Sequence, residues 1–206
     1  MPTRAEQKNA TRHAIIEAAL RLSAKRGFSS LSLRGIAVEA GIAPTSFYRH
    51  FQDIDDLGLA LVDEVGLSLR QLVREARRRV ANSTTTSVTR ASIETFMEFT
   101  EANATLFHLL LGEGAGSTAP FRRAIAKEVA RFTDDLGDDL SAAAEKTGKP
   151  LAKVGLAAEA MVTITFNLGA AAIDLPAAER RDVVERIIAE VRMVMRGAQA
   201  EAAASG

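Results

Sequence analysis

The chain has 206 residues, 47% of them hydrophobic, with 26 Lys/Arg set against 26 Asp/Glu and no cysteine. That length is enough for a substantial core, and the lack of cysteine excludes disulfides and thiolate metal sites. Charge is spread unevenly: residues 1–51 hold eight Lys/Arg against three Asp/Glu, a net +5, and residues 52–206 carry −5, as expected of a basic module that meets a polyanion joined to an acidic body.

Helical spacing recurs along the chain and no segment alternates with period two, so an all-α fold is expected. A first helix is expected over 9–26, with Ile15, Ala19 and Leu22 on one stripe, stopping at Gly27; Phe28 follows as a core anchor. Ser32 is a good N-cap for a short second helix in which Leu33, Ile36, Ala37 and Ala40 repeat at i, i+3, i+4 and i+7. Gly41 ends it, and Pro44 starts a third helix, where a missing N–H costs nothing, running to about Phe51. Asp53 caps a fourth helix to about Val80, with Gly58 and Gly66 as close-packing points. Further helices are expected over 88–102, 104–111, 118–146, 153–173 and 177–200, with the last residues, AEAAASG, frayed.

Nothing at the N-terminus resembles the apolar run of a signal peptide. The longest uncharged run, 160–173, has fourteen residues, short of the roughly 20 of a membrane span. A cytoplasmic protein without membrane insertion is the expectation.

Two short helices around Gly41 form a helix-turn-helix, a unit that lays its second helix in the major groove of DNA. Phe47 and Phe51, four apart, point together toward a core, while Thr45, Tyr48 and Arg49 take the opposite side with Ser46 and His50 flanking. A hydroxyl, a phenol and a guanidinium on one exposed face suit phosphates and base edges. Arg4, Lys8 and Arg12 precede the core stripe of the first helix and add candidate phosphate contacts.

The stretch Phe28 to Val62 resembles the DNA-binding domain of the TetR family of bacterial transcriptional regulators, with Gly41, Ser46, Phe47, Tyr48, Phe51 and Leu57 in register. The resemblance implies an all-helical homodimer with a helix-turn-helix domain over 1–52 and an effector-binding and dimerisation domain over 53–206. It also implies that Ser32 caps helix two against a phosphate, that Thr45 and Ser46 approach bases, and that Tyr48 and His50 hold the backbone, with Arg49 a further candidate. Ile54 stands where many members carry a phosphate-binding lysine. RAEQKNATR, LSLRGIAVEAGIAPTSFYRHF, DLGLALVDEVGLSLRQL, FMEF, AMVTITF and ERR are similar, in the same order, to FabR-like repressors of unsaturated fatty acid biosynthesis. That similarity implies a long-chain acyl-CoA or acyl-carrier-protein thioester as effector and no cofactor. Gly112 departs from an arginine common in that branch.

A long acyl group needs a deep apolar cavity. Phe96, Phe99, Phe107, Leu110, Phe121, Met161, Thr165 and Phe166 are the candidate contacts, with Met97 and Phe132 adding apolar surface, although at helical spacing each also fits plain core. Thr163, Thr165 and Asn167 lie inside the uncharged run and must find polar partners in a ligand, a neighbouring helix or a dimer mate. The homodimer is expected through the last two helices, where Val183, Val184, Ile187, Ile188, Val191, Val194 and Met195 offer an apolar face. Arg74, Arg77, Arg78 and Arg79, and likewise Asp134, Asp135, Asp138 and Asp139, are read as solvated faces, the arginines with the alternative of attracting the phosphates of an acyl-thioester head group.

Enzyme readings fare poorly: His13, His50 and His108 are far apart in sequence, and no Gly-x-Ser-x-Gly motif or phosphate-cradling glycine loop occurs. The competing reading from another class is a helical lipid or acyl-carrier binding module that does not act on DNA.

Overall fold

The computed structural model describes residues 3–26, 30–80, 87–104, 107 and 119–205. Among them are eight helices and no strand: α1 (Arg4–Arg26), α2 (Leu33–Glu39), α3 (Pro44–Phe47), α4 (Ile54–Val80), α5 (Val88–Ala102), α6 (Ala119–Thr147), α7 (Val154–Ala171) and α8 (Ala177–Ser205). The chain divides into two compact units, one of Met1–Val65 with Asn103–Ile125, the other of Gly66–Ala102 with Ala126–Gly206. The divisions fall inside α4, at the end of α5 and inside α6.

In the first unit α1 begins at Arg4, five residues before the expected start. The reason is a reciprocal cap: Glu6 N–H donates to the Thr3 hydroxyl at 3.2 Å, and Thr3 N–H to the Glu6 carboxylate at 2.6 Å. Ser32 caps α2 as expected, accepting from Gly35 N–H at 3.1 Å. Gly41 then takes φ +69°, the left-handed turn that a side chain disfavours. Pro44 stands at the start of α3, but α3 is shorter than expected. After Phe47 the backbone tightens into i to i−3 bonds, from Arg49 N–H to Ser46 C=O and from His50 N–H to Phe47 C=O. Asp53 accepts from Asp56 N–H at 2.7 Å and so opens α4. The core here is Ile15, Ile16, Ala19, Ile36, Phe47, Phe51, Leu57 and Leu61, each at most 3% exposed. Gly27 and Phe28 lie outside the described residues.

In the second unit α7 packs against α8 and α5, and α5 also meets α8. Phe96 stacks on Phe166 with ring centres 5.0 Å apart, and Phe132 meets the same ring edge-on at 5.3 Å. Gly169 makes room for Phe96, since a Cβ there would overlap its ring. Gly66 plays the same part on α4, where a Cβ would overlap the Glu128 carboxylate. That observation supports its reading as a close-packing point. α8 continues to Ser205, so the tail expected to fray is helical, as its run of alanines favours. α7 has 18 residues and a mean hydropathy of 1.4, long and apolar enough by those measures to cross a membrane. Here it packs against both α5 and α8.

Members of the two charge runs read as separate solvated faces pair with each other. Along α4, Arg70 pairs with Glu128, Arg74 with Asp135 and Arg77 with Asp139, all three acids lying on α6. Glu128, itself buried, is bound by Arg131 as well. Arg70 Nε also approaches Asp135 at 3.7 Å. The spacings 70, 74, 77 and 128, 135, 139 each follow one helix face, so the ladder requires the two faces to meet.

Candidate functional site

The outward side of the helix-turn-helix carries most of the residues expected to meet DNA. Phe47 is fully buried and Phe51 nearly so, while Tyr48 directly between them is 63% exposed. Thr45 and Arg49 are exposed, Ser46 and His50 half-buried. The early start of α1 puts Arg4 and Lys8 one turn apart on a helix rather than on a loose leader. Arg4, Gln7, Lys8 and Thr11 from α1 line one groove with Ser46, Arg49 and His50. Arg12 lies against Phe51, its guanidinium carbon 4.8 Å from the ring centre, a cation–π contact that fixes the side chain. Ser32 remains exposed at the start of α2, its hydroxyl engaged in the cap.

Among the described residues no carboxylate pairs with Arg4, Lys8 or Arg49. His50 sits among cations of this groove. Burial, and then the charges of Lys8, Arg12 and Arg49, hold its pKa below the ordinary histidine value. Its Nδ1 is buried without a hydrogen-bond partner among the described residues. A groove of unpaired cations around a neutral imidazole attracts anions, and the exposed hydroxyls beside it supply directional bonds.

The second unit holds a half-open cavity of about 290 Å³. Four expected contacts, Phe96, Met161, Thr165 and Phe166, stand in its wall. Phe99 is half-buried and outside the wall, and Phe107 is buried in the first unit, so neither lines it. Leu110, the Phe121 side chain and Gly112 lie outside the described residues. Sequence reasoning missed Val73, Arg77, Leu136 and Asp139, which come from α4 and α6. Their signal was the apolar stripe on each helix that continues beside the charge ladder.

Two of the polar residues of the uncharged run, Thr165 and Asn167, find partners in their own helix. Thr165 donates to Met161 C=O at 2.8 Å, and the Asn167 amide to Thr163 C=O at 2.9 Å. Helical back-bonding of this kind satisfies a hydroxyl without any ligand. At one side of the cavity Arg77 pairs with Asp139 and donates from Nε to Ser92 Oγ at 3.3 Å. Ser92 in turn donates to Val88 C=O at 2.8 Å.

On α8 the face expected to dimerise is partly used inside the chain: Ile187, Ile188 and Val191 are buried here. Leu156 on α7 and Met193 on α8 are the large apolar side chains left out, 62% and 61% exposed. Among the described residues no group of three or more His, Asp or Glu gathers as a metal site.

Comparison with known proteins agrees with this layout. Residues 15–61 match the family described as bacterial regulatory proteins, tetR family, and residues 85–197 match the tetracyclin repressor-like C-terminal domain. Among solved structures, one from Syntrophomonas wolfei superposes with a TM-score of 0.76 at 18% identity, covering 90% of this chain and 94% of that one. Salmonella enterica GusR gives 0.73 at 18% identity, with 90% and 95% covered. A TetR-family transcriptional regulator from Streptomyces coelicolor gives 0.66 at 20%, with 93% and 97% covered. At such identities the superpositions speak to the fold.

Proposed function

The chain belongs to the tetR family of bacterial regulatory proteins, and from that membership we propose that this DNA-binding transcriptional regulator is a ligand-responsive repressor of a pseudo-palindromic operator. The observation that carries the reading is the groove in which Arg4, Lys8, Ser46, Arg49 and His50 converge beside an exposed Tyr48. Thr45 and Ser46 approach base edges, Tyr48 and His50 hold the backbone, and Arg4, Lys8, Arg12 and the capped end of α2 at Ser32 meet phosphates. The protein acts by binding, in the compartment that holds its DNA, and no turnover is required of it.

A homodimer through α7 and α8, with Leu156 and Met193 in its interface, sets two recognition helices about 34 to 36 Å apart, one turn of the duplex. The effector occupies the cavity of the second unit, whose apolar wall suits the acyl part of a long-chain acyl thioester. With the similarity to FabR-like repressors, this supports control of unsaturated fatty acid biosynthesis. Effector and DNA binding are then coupled reciprocally.

A mobility-shift titration with the DNA upstream of the chain's own gene, and upstream of lipid-biosynthetic genes, tests the reading. A salt-sensitive, sequence-selective shift that an acyl thioester alters is expected. Uniform binding to every duplex would contradict it.

A further inference from the structure

We infer that the cavity selects an apolar molecule ending in an uncharged hydrogen-bonding head, and discriminates against the free carboxylate of equal length. The inference rests on the cavity being the effector site. Its wall is almost wholly apolar, so the few polar atoms decide what kind of head it holds.

Those atoms are already arranged. Arg77 is the single cation in the wall among the described residues, and Asp139 neutralises it through Nη1. Nε is engaged with Ser92. Nη2 has no partner among the described residues, which leaves N–H donors for one more acceptor. The hydroxyls of Ser92 and Thr165 spend their protons on backbone carbonyls of their own helices, so they offer only lone pairs. A carbonyl can therefore accept from Arg77 while an amide or alcohol hydrogen is donated to Ser92 Oγ, 3.3 Å from Arg77 Nε, and no existing bond breaks. Hydrogen bonds to a charged donor are the stronger kind.

A carboxylate meets different terms. Placed beside Arg77 it shares one guanidinium with Asp139, and two like charges at one site oppose each other. It also loses its hydration against an apolar wall. The escape would be displacement of Asp139 into water. The Arg77 side chain is 17% exposed and that of Asp139 49%, so the acid half of the pair is the half able to leave. A thioester carbonyl satisfies the neutral requirement and a free fatty acid does not.

The test uses the full chain without DNA. Isothermal titration with octanamide, 1-octanol and octanoate at neutral pH compares three heads on one apolar body. Octanamide is expected to bind at least tenfold tighter than octanoate. In Asp139→Asn the guanidinium charge is released, and octanoate should gain at least tenfold, with thermal melting reporting that the variant folds. Should Asp139→Asn fail to fold, the wild-type ratio alone decides. Equal or tighter binding of octanoate by the wild type overturns the inference, as does a lack of binding by all three. The DNA titration is separate. Octanamide preference without a DNA shift would overturn the regulator reading and leave the selectivity standing; a DNA shift with octanoate preference would do the reverse.

Discussion

The groove between α1 and the helix-turn-helix in the first unit and the α4–α6 face of the second hold similar numbers of cations in opposite conditions. Arg70, Arg74 and Arg77 each face a carboxylate on α6. Arg4, Lys8 and Arg49 converge on one groove with no acid partner among the described residues. The first arrangement spends its charge inside the fold. The second leaves its charge for something brought from outside. Apolar groups divide in a similar way. In the helix-turn-helix Phe47 and Phe51 hold the core while Thr45, Tyr48 and Arg49 face out. In the cavity Phe96 and Met161 are wall and core at once.

The strongest way to break this contrast is to remove its anchors. Phe47→Ala should destabilise the protein by about 3–5 kcal/mol, the range for large aromatic truncations in a core, read by chemical denaturation. Glu128→Ala should cost roughly 3 kcal/mol, because it leaves Arg70 largely buried with only the more distant Asp135 beside it. Loss of either site without a fall in stability would mean that the packing described is wrong.

The contrast sharpens at the unpaired cations. Arg4→Ala, Lys8→Ala or Arg49→Ala should each leave stability within about 0.5 kcal/mol. Each should also lower the salt dependence of DNA binding by about one unit of slope for a lost phosphate contact. Arg74→Ala should leave that slope alone. Thr3→Ala should cost about 1 kcal/mol of helix capping, visible as faster amide exchange in the first turn of α1. With Arg4 and Lys8 riding on that turn, DNA affinity should fall modestly as well.

The smallest effect is in pH. His50 has a depressed pKa in the free protein, so it is neutral at pH 7, and the stability linked to it falls once pH drops below the ordinary histidine value and levels off below the lowered one. A phosphate beside it would raise the pKa. DNA affinity should therefore rise as pH falls through the bound-state value, then level off below the free one. His50→Gln should flatten that dependence in anisotropy titrations across pH 5 to 8.

Much of the first unit was legible because its signals are local: the Ser32 cap, Gly41, Pro44 and the four-residue spacing of Phe47 and Phe51. The Thr3–Glu6 cap was equally local but sits before any apolar periodicity, so the start of α1 was placed late. The ladder was not legible. Its partners are about sixty residues apart, and each run alone has the composition of a solvated face. Phe99 and Phe107 failed as cavity contacts for a related reason. Helical spacing marks a residue as inward-facing without saying which core it enters. Thr165 and Asn167 looked like ligand or interface groups until their bonds to the preceding turn were seen.

The central claim is that unpaired groups around α3 read DNA independently of what holds the fold. Anisotropy titration of labelled DNA from upstream of the chain's own gene tests it most directly, comparing wild type with a Tyr48→Ala, Arg49→Ala double variant of matched melting temperature. The account predicts sequence-selective, salt-sensitive binding by the wild type and at least tenfold weaker binding by the variant. Equal binding by the two folded proteins would contradict it.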